Sequence, residues 1–365
     1  MKIPFSKNQI NNSDISIVKK ILKSGWLTHG KYTKNFENEF KKFTKSKYAV
    51  AVSNCTAGLH LSCIAADFKK GDEVLVPAMT HVATAHAVSL TGAKPVFCDI
   101  NLYNGSINII DVKKKINKKT KGIIIVHMAG FPNQMRELQR VCKKNNLKMI
   151  EDCAHALGTY ENKKHVGNFG ISGVFSFYPT KQISIGEGGM VVTNDKKTYE
   201  IIKRRKAFGI DKDIKERKTP GVYDVKSLGL NYRMTDYQSA IGLTQIKRYQ
   251  KELSARVKNA KYYCTKLSNI KWLKLPTFDE KASYFIFQIF MPKFKRLKVI
   301  KSFMKEKIGF SIHYANSLDN MSFYKSNSSK CENSNIYANE NISLPVHSGI
   351  NKKMINHIIR VLKKI

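Results

Sequence analysis

Lys181 is the residue of this chain whose surroundings best suit catalysis. It follows the aromatic, strand-like stretch "VFSFYP" and precedes the glycine cluster "GEGG", which leads into another strand-like stretch, "GMVVTND". Catalytic side chains in α/β proteins commonly lie at such strand ends. Ser176 precedes Lys181 by five residues and could face the same site. The alternatives are a surface lysine, a solvent-facing strand serine and an ordinary glycine turn.

Two other stretches carry side chains that could act together with this lysine. Asp152 ends the apolar run "LKMIED", and "SNCTAG" (53–58) passes from a strand into a helix. N–H groups and hydroxyls at a helix N-terminus can bind a phosphate. Each stretch also has a structural alternative, because Asp152, Ser53 or Thr56 could be an ordinary helix cap.

The order of these features indicates one cofactor. A phosphate-binding turn, an acid at a strand end, and a lysine flanked by a serine and glycines match the needs of pyridoxal 5′-phosphate. This cofactor requires a lysine for its Schiff base, an acid beside its pyridine nitrogen and a cradle for its phosphate. The lysine must also lose a proton, and burial or neighbouring charge can lower its pKa enough. The sequence therefore predicts Lys181 and Asp152 as the catalytic pair.

Apolar segments that alternate with helical segments must position these residues. Near-continuously apolar strands between helices are typical of a mostly parallel sheet that is covered on both faces. An earlier helix is marked by one aromatic face, formed by Phe36, Phe40 and Phe43. We predict strands at 48–54, 72–77, 94–100, 122–128 and 147–152, and helices at 56–66 and 81–92.

The last third of the chain predicts a smaller α+β unit. Residues 205–226 are polar, charged and interrupted by proline and glycine, which predicts an exposed loop before a long helix at 235–268. Beyond it we predict strands at 283–290 and 309–314, and helices at 294–307 and 351–364. The division into a large domain (1–250) and a small domain (251–365) falls within the long helix.

Charge is the most unusual feature of the composition. The 365 residues carry a formal net charge of +37, which favours anionic partners such as nucleic acid, a membrane surface or phosphorylated small molecules. The lysines are dispersed in pairs and triplets and form no single basic arm. This dispersion favours compositional bias over a dedicated nucleic-acid site.

Cysteine spacing and the N-terminus predict the compartment. The seven cysteines form no CxxC pair and no zinc pattern, which predicts a reducing compartment and no metal site. The start, "MKIPFSKNQ", has no apolar signal core, and the apolar runs are too short to span a bilayer. We expect a cytoplasmic protein without a membrane partner.

Seven motifs, in order along almost the whole chain, resemble the fold-type-I, pyridoxal-phosphate-dependent aminotransferases that act on nucleotide-linked keto-sugars. They are "GWLTHGKYTKNFENEF", "SNCTAGLHLS", "PAMTHVATAHAVSLTGAKPVFCDI", "EDCAHALG", "SFYPTKQISIGEGG", "GLNYRMTDYQSAIGLTQ" and "SLPVH". The resemblance implies an α/β fold with a mostly parallel seven-stranded sheet in the large domain and a small C-terminal α+β domain. It also implies a homodimer with shared active sites.

The resemblance assigns roles around the cofactor ring. Lys181 would form the Schiff base, Asp152 would pair with the pyridine nitrogen, and His155 would contact the phenolic oxygen. His81 lies where the family has an aromatic residue stacked on the ring, and an imidazole can also stack. A core or capping histidine is the alternative for His81.

The resemblance also assigns a phosphate site. Thr56, Ala57 and Ser176 would hold the phosphate within one subunit. Asn231 of the partner subunit, in "GLNYRM", would complete it, so that each site would need a dimer.

The implied activity is the transfer of an amino group, with glutamate as donor, to a nucleotide-linked keto-sugar. Relatives with histidine at the lysine position dehydrate the sugar, so Lys181 favours amination. The segments at residues 225–245 and 342–358 are more similar to enzymes that aminate C4 of UDP-linked 4-keto-6-deoxy sugars. Alternatives are a cyclitol aminotransferase of the same family and a non-catalytic, basic nucleic-acid-binding or sensory protein with this fold. The nucleotide, sugar, ring carbon and stereochemistry stay open.

Overall fold

A seven-stranded sheet forms the centre of the larger part of the molecule. The computed structural model describes residues 1–8, 10–28, 30–212, 214–325 and 331–365. The strands of the sheet, in the order in which they lie side by side, are β1 (Tyr48–Val52), β9 (Gly189–Thr193), β8 (Ser172–Ser176), β5 (Lys148–Asp152), β4 (Thr120–Val126), β2 (Glu73–Pro77) and β3 (Lys94–Cys98).

The sheet is mostly parallel, as the apolar strands predict. Only β9 runs against its neighbours, β1 and β8, and the remaining pairs are parallel. The helices of this part are α1 (Asn12–Ser24), α2 (Lys31–Thr44), α3 (Cys55–Ala65), α4 (Val82–Ser89), α5 (Ile109–Lys115), α6 (Met135–Lys144) and α7 (Lys196–Arg205). A two-stranded hairpin, β6 (Tyr160–Glu161) and β7 (Lys164–His165), lies outside the sheet.

Both faces of the sheet are buried. Successive strand side chains point to opposite faces. Ile124 therefore packs in a core with residues of α3, α4 and α7, whereas Ile123 and Ile125 pack in a core on the other face with residues of α5 and α6. This two-sided burial is the reason that the strands carry few polar residues.

The aromatic face predicted for α2 is confirmed. Phe36 and Phe40 are completely buried, and their rings pack on Phe177 at centroid distances of 5.2 and 5.6 Å. Phe43 is half-buried and contacts the ring of Tyr249 at 5.5 Å. This aromatic cluster fixes α2 against the sheet and against the long helix.

The long helix, α8 (Asp236–Leu267), is the main covalent link to the C-terminal part. Its C-terminal half contributes Ala260, Tyr263 and Leu267 to a separate apolar core. The other elements of this part are β10 (Phe287–Phe290), α9 (Lys293–Lys305), α10 (Glu332–Glu340), β11 (Asn341–Leu344) and α11 (Lys352–Lys363). Ile3 of the N-terminal segment also packs in this core, and the division of the chain after residue 250 stays a prediction.

The strand predicted at 309–314 is wrong. This segment makes a single bridge, in which Ser311 and Ser343 exchange backbone hydrogen bonds of 3.1 and 2.8 Å. Beyond Ser311, the Asn341 side chain accepts the backbone N–H of His313 at 3.1 Å. A side chain of β11 thus takes the place of a backbone hydrogen-bond ladder between strands. The chain is then free to bend toward the larger part.

The segment between α7 and α8 is exposed, as predicted for 205–226. Most of its described residues are exposed, and a short 3₁₀ turn covers Ile214–Glu216. Residue 213, inside the predicted loop, lies outside the described ranges. In the parts of the chain that the structure describes, no helix combines the length and the apolar character needed to cross a lipid bilayer.

Glu151 anchors the carboxyl end of β5. It is completely buried, and its carboxylate accepts the backbone N–H groups of Gly167, Phe169 and Gly170 at 2.6–2.8 Å. His127 Nε2 lies 3.1 Å from the same carboxylate. Burial opposes the charged form, but the hydrogen bonds outweigh it and hold the pKa of Glu151 below its ordinary value.

We predict that Glu151→Gln destabilises the protein by about 3 kcal/mol at neutral pH, because an amide NH₂ would face backbone N–H donors in a buried site. The contribution of Glu151 is fully present above its ordinary pKa of about 4.3. It is lost as the pH falls through the lowered pKa of the folded protein, so the difference between variant and parent should shrink in acid. Urea unfolding at several pH values measures this difference. Glu39→Gln, which breaks an exposed pair with Lys42, is the control and should change stability by less than about 1 kcal/mol.

Candidate active site

A cavity of about 510 Å³ opens where the carboxyl ends of β4, β5 and β8 meet the N-termini of α3 and α4. Convergence of strand ends and helix N-termini is a common setting for ligand sites in α/β folds. The predicted site residues on its wall are Thr56, His81, Asp152, His155, Ser176 and Lys181. The predicted residues Ala57 and Asn231 do not line it.

Asp152 presents a buried carboxylate to this cavity. It is 4% exposed, Thr84 Oγ1 donates to it at 2.8 Å, and the N–H of Ala154 donates to it at 3.0 Å. Burial raises the pKa of Asp152, while these two donors and the charge of Lys181 act in the opposite direction. The two donors fix the carboxylate in position and leave it able to accept a further donor from the cavity.

Lys181 faces the same cavity from the turn after β8. Its backbone N–H donates to the carbonyl of Tyr178 at 2.8 Å. Removal from water lowers the pKa of Lys181 to about 8, against the opposing charge of Asp152. At pH 7 about a tenth of such amines are neutral, compared with about one in 2,500 at an ordinary lysine pKa of about 10.4. Lys181 can therefore accept and donate a proton near neutral pH.

His155 is a buried, neutral imidazole beside this lysine. It is 3% exposed, and burial, together with the charge of Lys181, holds the pKa of His155 well below its ordinary value. The N–H of Ala129 donates to His155 Nδ1 at 3.4 Å. Because Nδ1 accepts, the single proton of the neutral ring lies on Nε2, which becomes the donor on the other side.

His81 is both a helix cap and part of the cavity wall. Its Nδ1 accepts the backbone N–H of Ala83 at 3.2 Å at the start of α4. The ring meets the ring of Tyr314 edge-on, with centroids 5.8 Å apart. Burial and the nearby charge of Lys181 lower the pKa of His81. His81 is therefore a helix cap, as the alternative interpretation predicted, and also a residue of the cavity wall.

The phosphate-type turn is built at the N-terminus of α3. The helix is capped by Asn54, whose Oδ1 accepts the N–H of Ala57 at 2.8 Å, and not by Ser53 or Thr56. Asn54 is the cap because its side chain accepts the N–H of the third residue of the helix. Thr56 lies on the cavity wall, whereas the N–H of Ala57 is already bonded to Asn54.

Glycine allows a close approach on the other side of this turn. Gly189 begins β9 and pairs with Ser176 at the end of β8. A Cβ at Gly189 would lie 2.7 Å from the backbone of Asn54. A larger residue would push the strand away from the turn, so Gly189 lets Ser176 lie beside the start of α3.

Asn231 lies on the surface, away from this cavity. It is exposed, it forms an isolated bridge with Ala207, and its Oδ1 accepts from Nε of Arg233 at 3.0 Å. Its predicted role concerns the cavity of a partner subunit, which stays a prediction.

Three residues of the site were not identified from the sequence. Thr84 is completely buried and holds Asp152, and it also shares a hydrogen bond at 2.9 Å with Thr80, which lies just before α4. His313 and Tyr314 reach the cavity wall from the C-terminal part. Nothing local marks His313 and Tyr314.

Comparisons with known proteins identify relatives over the whole chain. The model of the DegT/DnrJ/EryC1/StrS aminotransferase family matches residues 8–363. An uncharacterized protein of Methanocaldococcus jannaschii is 34% identical over 376 residues, covering 100% of this chain and 97% of the relative. The GDP-perosamine synthase of Vibrio cholerae is 39% identical over 274 residues, covering 73% of this chain and 71% of that enzyme.

A solved structure agrees with these sequence relatives. Helicobacter pylori PseC, an aminotransferase involved in the biosynthesis of pseudoaminic acid, superposes with a TM-score of 0.93 at 28% identity, covering 100% of this chain and 99% of PseC. The predicted fold class is thereby confirmed. Because the family match extends from residue 8 to residue 363, the chain belongs to the DegT/DnrJ/EryC1/StrS aminotransferases and is a pyridoxal-phosphate-dependent sugar aminotransferase.

Proposed function

We propose that this enzyme converts a nucleotide-linked keto-sugar into the corresponding amino sugar, with glutamate as the amino donor. The observation that carries the proposal is the pairing of a buried carboxylate, Asp152, with a lysine of lowered pKa, Lys181, on one cavity wall. A cavity of about 510 Å³ is within the range of ligand sites. The similarity to a GDP-perosamine synthase supports a nucleotide-linked sugar substrate, and the similarity to PseC supports an aminotransferase.

The donors on the wall suit pyridoxal 5′-phosphate. A carboxylate, an amine that can become neutral, and hydroxyls beside a helix N-terminus are the groups that this cofactor requires. When bound, the cofactor supplies an electron sink for the carbanion character that develops at the reacting carbon.

Asp152 would hold the pyridine nitrogen in its protonated form. A positive nitrogen beside the carboxylate favours the charged state of both groups. Thr84 and Ala154 keep the carboxylate from rotating, so that its remaining acceptor positions point toward the cavity. Asp152 would thus set both the position and the charge of the cofactor ring.

Lys181 would carry the proton. Its neutral amine would hold the cofactor, and the free amine could accept a proton at the reacting carbons and return it. Glutamate would donate the amino group in the first half of the cycle and the keto-sugar would receive it in the second. A reaction divided in this way predicts ping-pong kinetics.

Two histidines would flank the cofactor ring. His155 would donate from Nε2 to the phenolic oxygen, since Nδ1 is occupied by the N–H of Ala129. His81 would lie against the ring from the start of α4. Both imidazoles have a lowered pKa, so they would act as neutral groups at physiological pH.

The phosphate would lie at the N-terminus of α3. Thr56 and Ser176 offer hydroxyls there, and the positive end of the helix dipole favours an anion. Ala57 would contribute its backbone N–H only by sharing it with Asn54. Asn231 of the partner subunit would complete this site.

An exposed apolar surface near Asn231 supports the dimer. Its side chains lie between Phe208 and Leu228 and are 44–82% exposed: Phe208, Val222, Tyr223, Val225 and Leu228. An apolar surface of this kind suits burial against a second copy of the chain.

We predict that Lys181→Ala abolishes turnover while the protein still folds, because no other amine on the described cavity wall can replace it. Lys181→Arg should fail as well, since a guanidinium does not lose its proton. Steady-state rates and circular dichroism check both variants. A variant that keeps the parental rate would remove Lys181 from the mechanism.

We predict that two inactive variants restore activity when their subunits are exchanged. Lys181→Ala disables its own site, and Asn231→Asp places a carboxylate next to the phosphate of the partner's site, where it should repel that phosphate. A mixed dimer then has one doubly damaged site and one intact site. Random exchange should recover about a quarter of the wild-type activity per site.

Exchange must be confirmed independently, for example by mass spectrometry of differently tagged subunits. If confirmed exchange restores nothing, Asn231 serves its own subunit and the shared site is wrong. The role of Lys181 would stand in either case.

The substrate is tested by offering keto-sugar nucleotides with glutamate. UDP- and GDP-linked 4-keto-6-deoxy sugars form the first panel, because the sequence leans to the former and a relative is named for a GDP-linked amino sugar. We expect one nucleotide to give an amino sugar at least tenfold faster than the other, read by mass and NMR. The absence of an aminated product from every keto-sugar nucleotide would contradict the proposal, and amination of a keto-cyclitol alone would support the cyclitol alternative.

A further inference from the structure

A phenylalanine of the C-terminal part lies behind the two central groups of the site. Nζ of Lys181 lies 4.3 Å from the centroid of the Phe285 ring. The imidazole of His155 stacks on the same ring, with centroids 4.3 Å apart and 23° between the planes. Phe285 is 4% exposed, so its ring contacts these groups without facing solvent.

The backbone of Phe285 is held from two directions. Its N–H donates to the carbonyl of Ala129 at 3.1 Å, and Ala129 is the residue whose own N–H donates to His155. The carbonyl of Phe285 accepts from the buried guanidinium of Arg256, on α8, at 3.2 Å. The ring therefore has little freedom to move away from Lys181 and His155.

We propose that Phe285 is a positioning residue, whose ring holds the free amine of Lys181 at the site and fixes the plane of the His155 imidazole. This inference rests on the proposed role of Lys181 as the proton carrier. Phe285 gains and loses no proton and no electron. It acts only through the two residues that it contacts.

The reaction creates a need for such a contact. A lysine amine is attached to a flexible four-carbon stem, and for half of the proposed cycle Lys181 would not be bonded to the cofactor. The face of an aromatic ring attracts an ammonium within about 6 Å of its centroid. The Phe285 ring would thus keep the amine within reach of the reacting carbon between proton transfers.

The charges around Lys181 do not provide the same restraint. The titratable groups that share its cavity wall are Cys55, His81, Asp152, His155, Tyr178, Glu187, His313 and Tyr314. Of these, Asp152 is committed to the cofactor nitrogen in the proposed function. Burial keeps His155 and His313 neutral by lowering their pKa values, so neither attracts the ammonium. Glu187 is exposed, so solvent screens its charge. The buried Phe285 ring is therefore the contact that the structure shows for the free amine.

The test uses Phe285→Leu in the full-length protein saturated with pyridoxamine 5′-phosphate, which leaves Lys181 free. The pH dependence of Lys181 acetylation by a trace of acetic anhydride, followed by peptide mass spectrometry, reports the pKa of its amine. We expect this pKa to fall by about half a unit, because the ring favours the ammonium. In steady-state assays kcat should fall about tenfold, with KM changed less than twofold.

Phe287→Leu is the matched control. Its ring is completely buried in the same apolar core and stacks on Tyr263, with centroids 4.9 Å apart. The Phe287→Leu substitution removes the same atoms from the core as Phe285→Leu. It should leave the Lys181 labelling profile and kcat at parental values. An unchanged profile in Phe285→Leu, or an equal shift in both variants, would overturn the proposal.

Folding of each variant is checked by thermal unfolding. If Phe285→Leu does not fold, Phe285→Met keeps an apolar side chain of similar size without the ring, and the same pKa shift is expected from it. Labelling does not require turnover of a sugar. An unchanged labelling profile in Phe285→Leu would therefore overturn the role of Phe285 alone, whereas a parental rate in Lys181→Ala would overturn the proposed function.

Discussion

Two adjacent buried acids at the end of β5 set the geometry of this enzyme. Consecutive strand residues point to opposite faces of a sheet, so Glu151 faces the scaffold and Asp152 faces the cavity. A buried carboxylate is costly unless donors surround it. Glu151 meets this requirement with three backbone N–H groups and an imidazole. The loop at 167–170 and the turn after β4 are thereby fixed, and with them the wall on which Asp152 lies.

Desolvation sets the charges of the cavity. It lowers the pKa of Lys181 to about 8 and that of His313 to about 3, while it raises the pKa of Asp152. The imidazoles are therefore neutral hydrogen-bonding groups, and the lysine lies close to its point of deprotonation. Removal from water thus prepares the lysine and the imidazoles for their proposed roles, whereas the hydrogen bonds from Thr84 and Ala154 are what favour the charged form of Asp152.

The C-terminal part takes a direct part in the site. His313 and Tyr314 form one side of the cavity, and Phe285 contacts Lys181 and His155 from behind. The continuous helix α8 joins this part to the sheet, and Arg256 on that helix holds the carbonyls of Tyr284 and Phe285. Packing in the C-terminal core and the position of the proposed catalytic lysine are therefore coupled.

The sequence alone determined the elements whose pattern is local. Apolar strands between helices predicted the parallel sheet, the spacing of Phe36 and Phe40 predicted the buried face of α2, and α8 was predicted within one residue at each end. The order of a phosphate-type turn, Asp152 and Lys181 predicted the cofactor, because each of these residue types meets a separate chemical need of one molecule.

Tertiary structure alone decided which distant residues meet. Thr84 hydrogen-bonds to Asp152 across 68 residues of sequence, and Phe285 reaches Lys181 from another core, so no local pattern could show either contact. The segment at 309–314 has the composition of a strand, but after one bridge to Ser343 the Asn341 side chain accepts the N–H of His313, and the chain bends to bring His313 and Tyr314 to the cavity. Propensity describes what a segment can form by itself. The available partners decide what it forms in the folded protein.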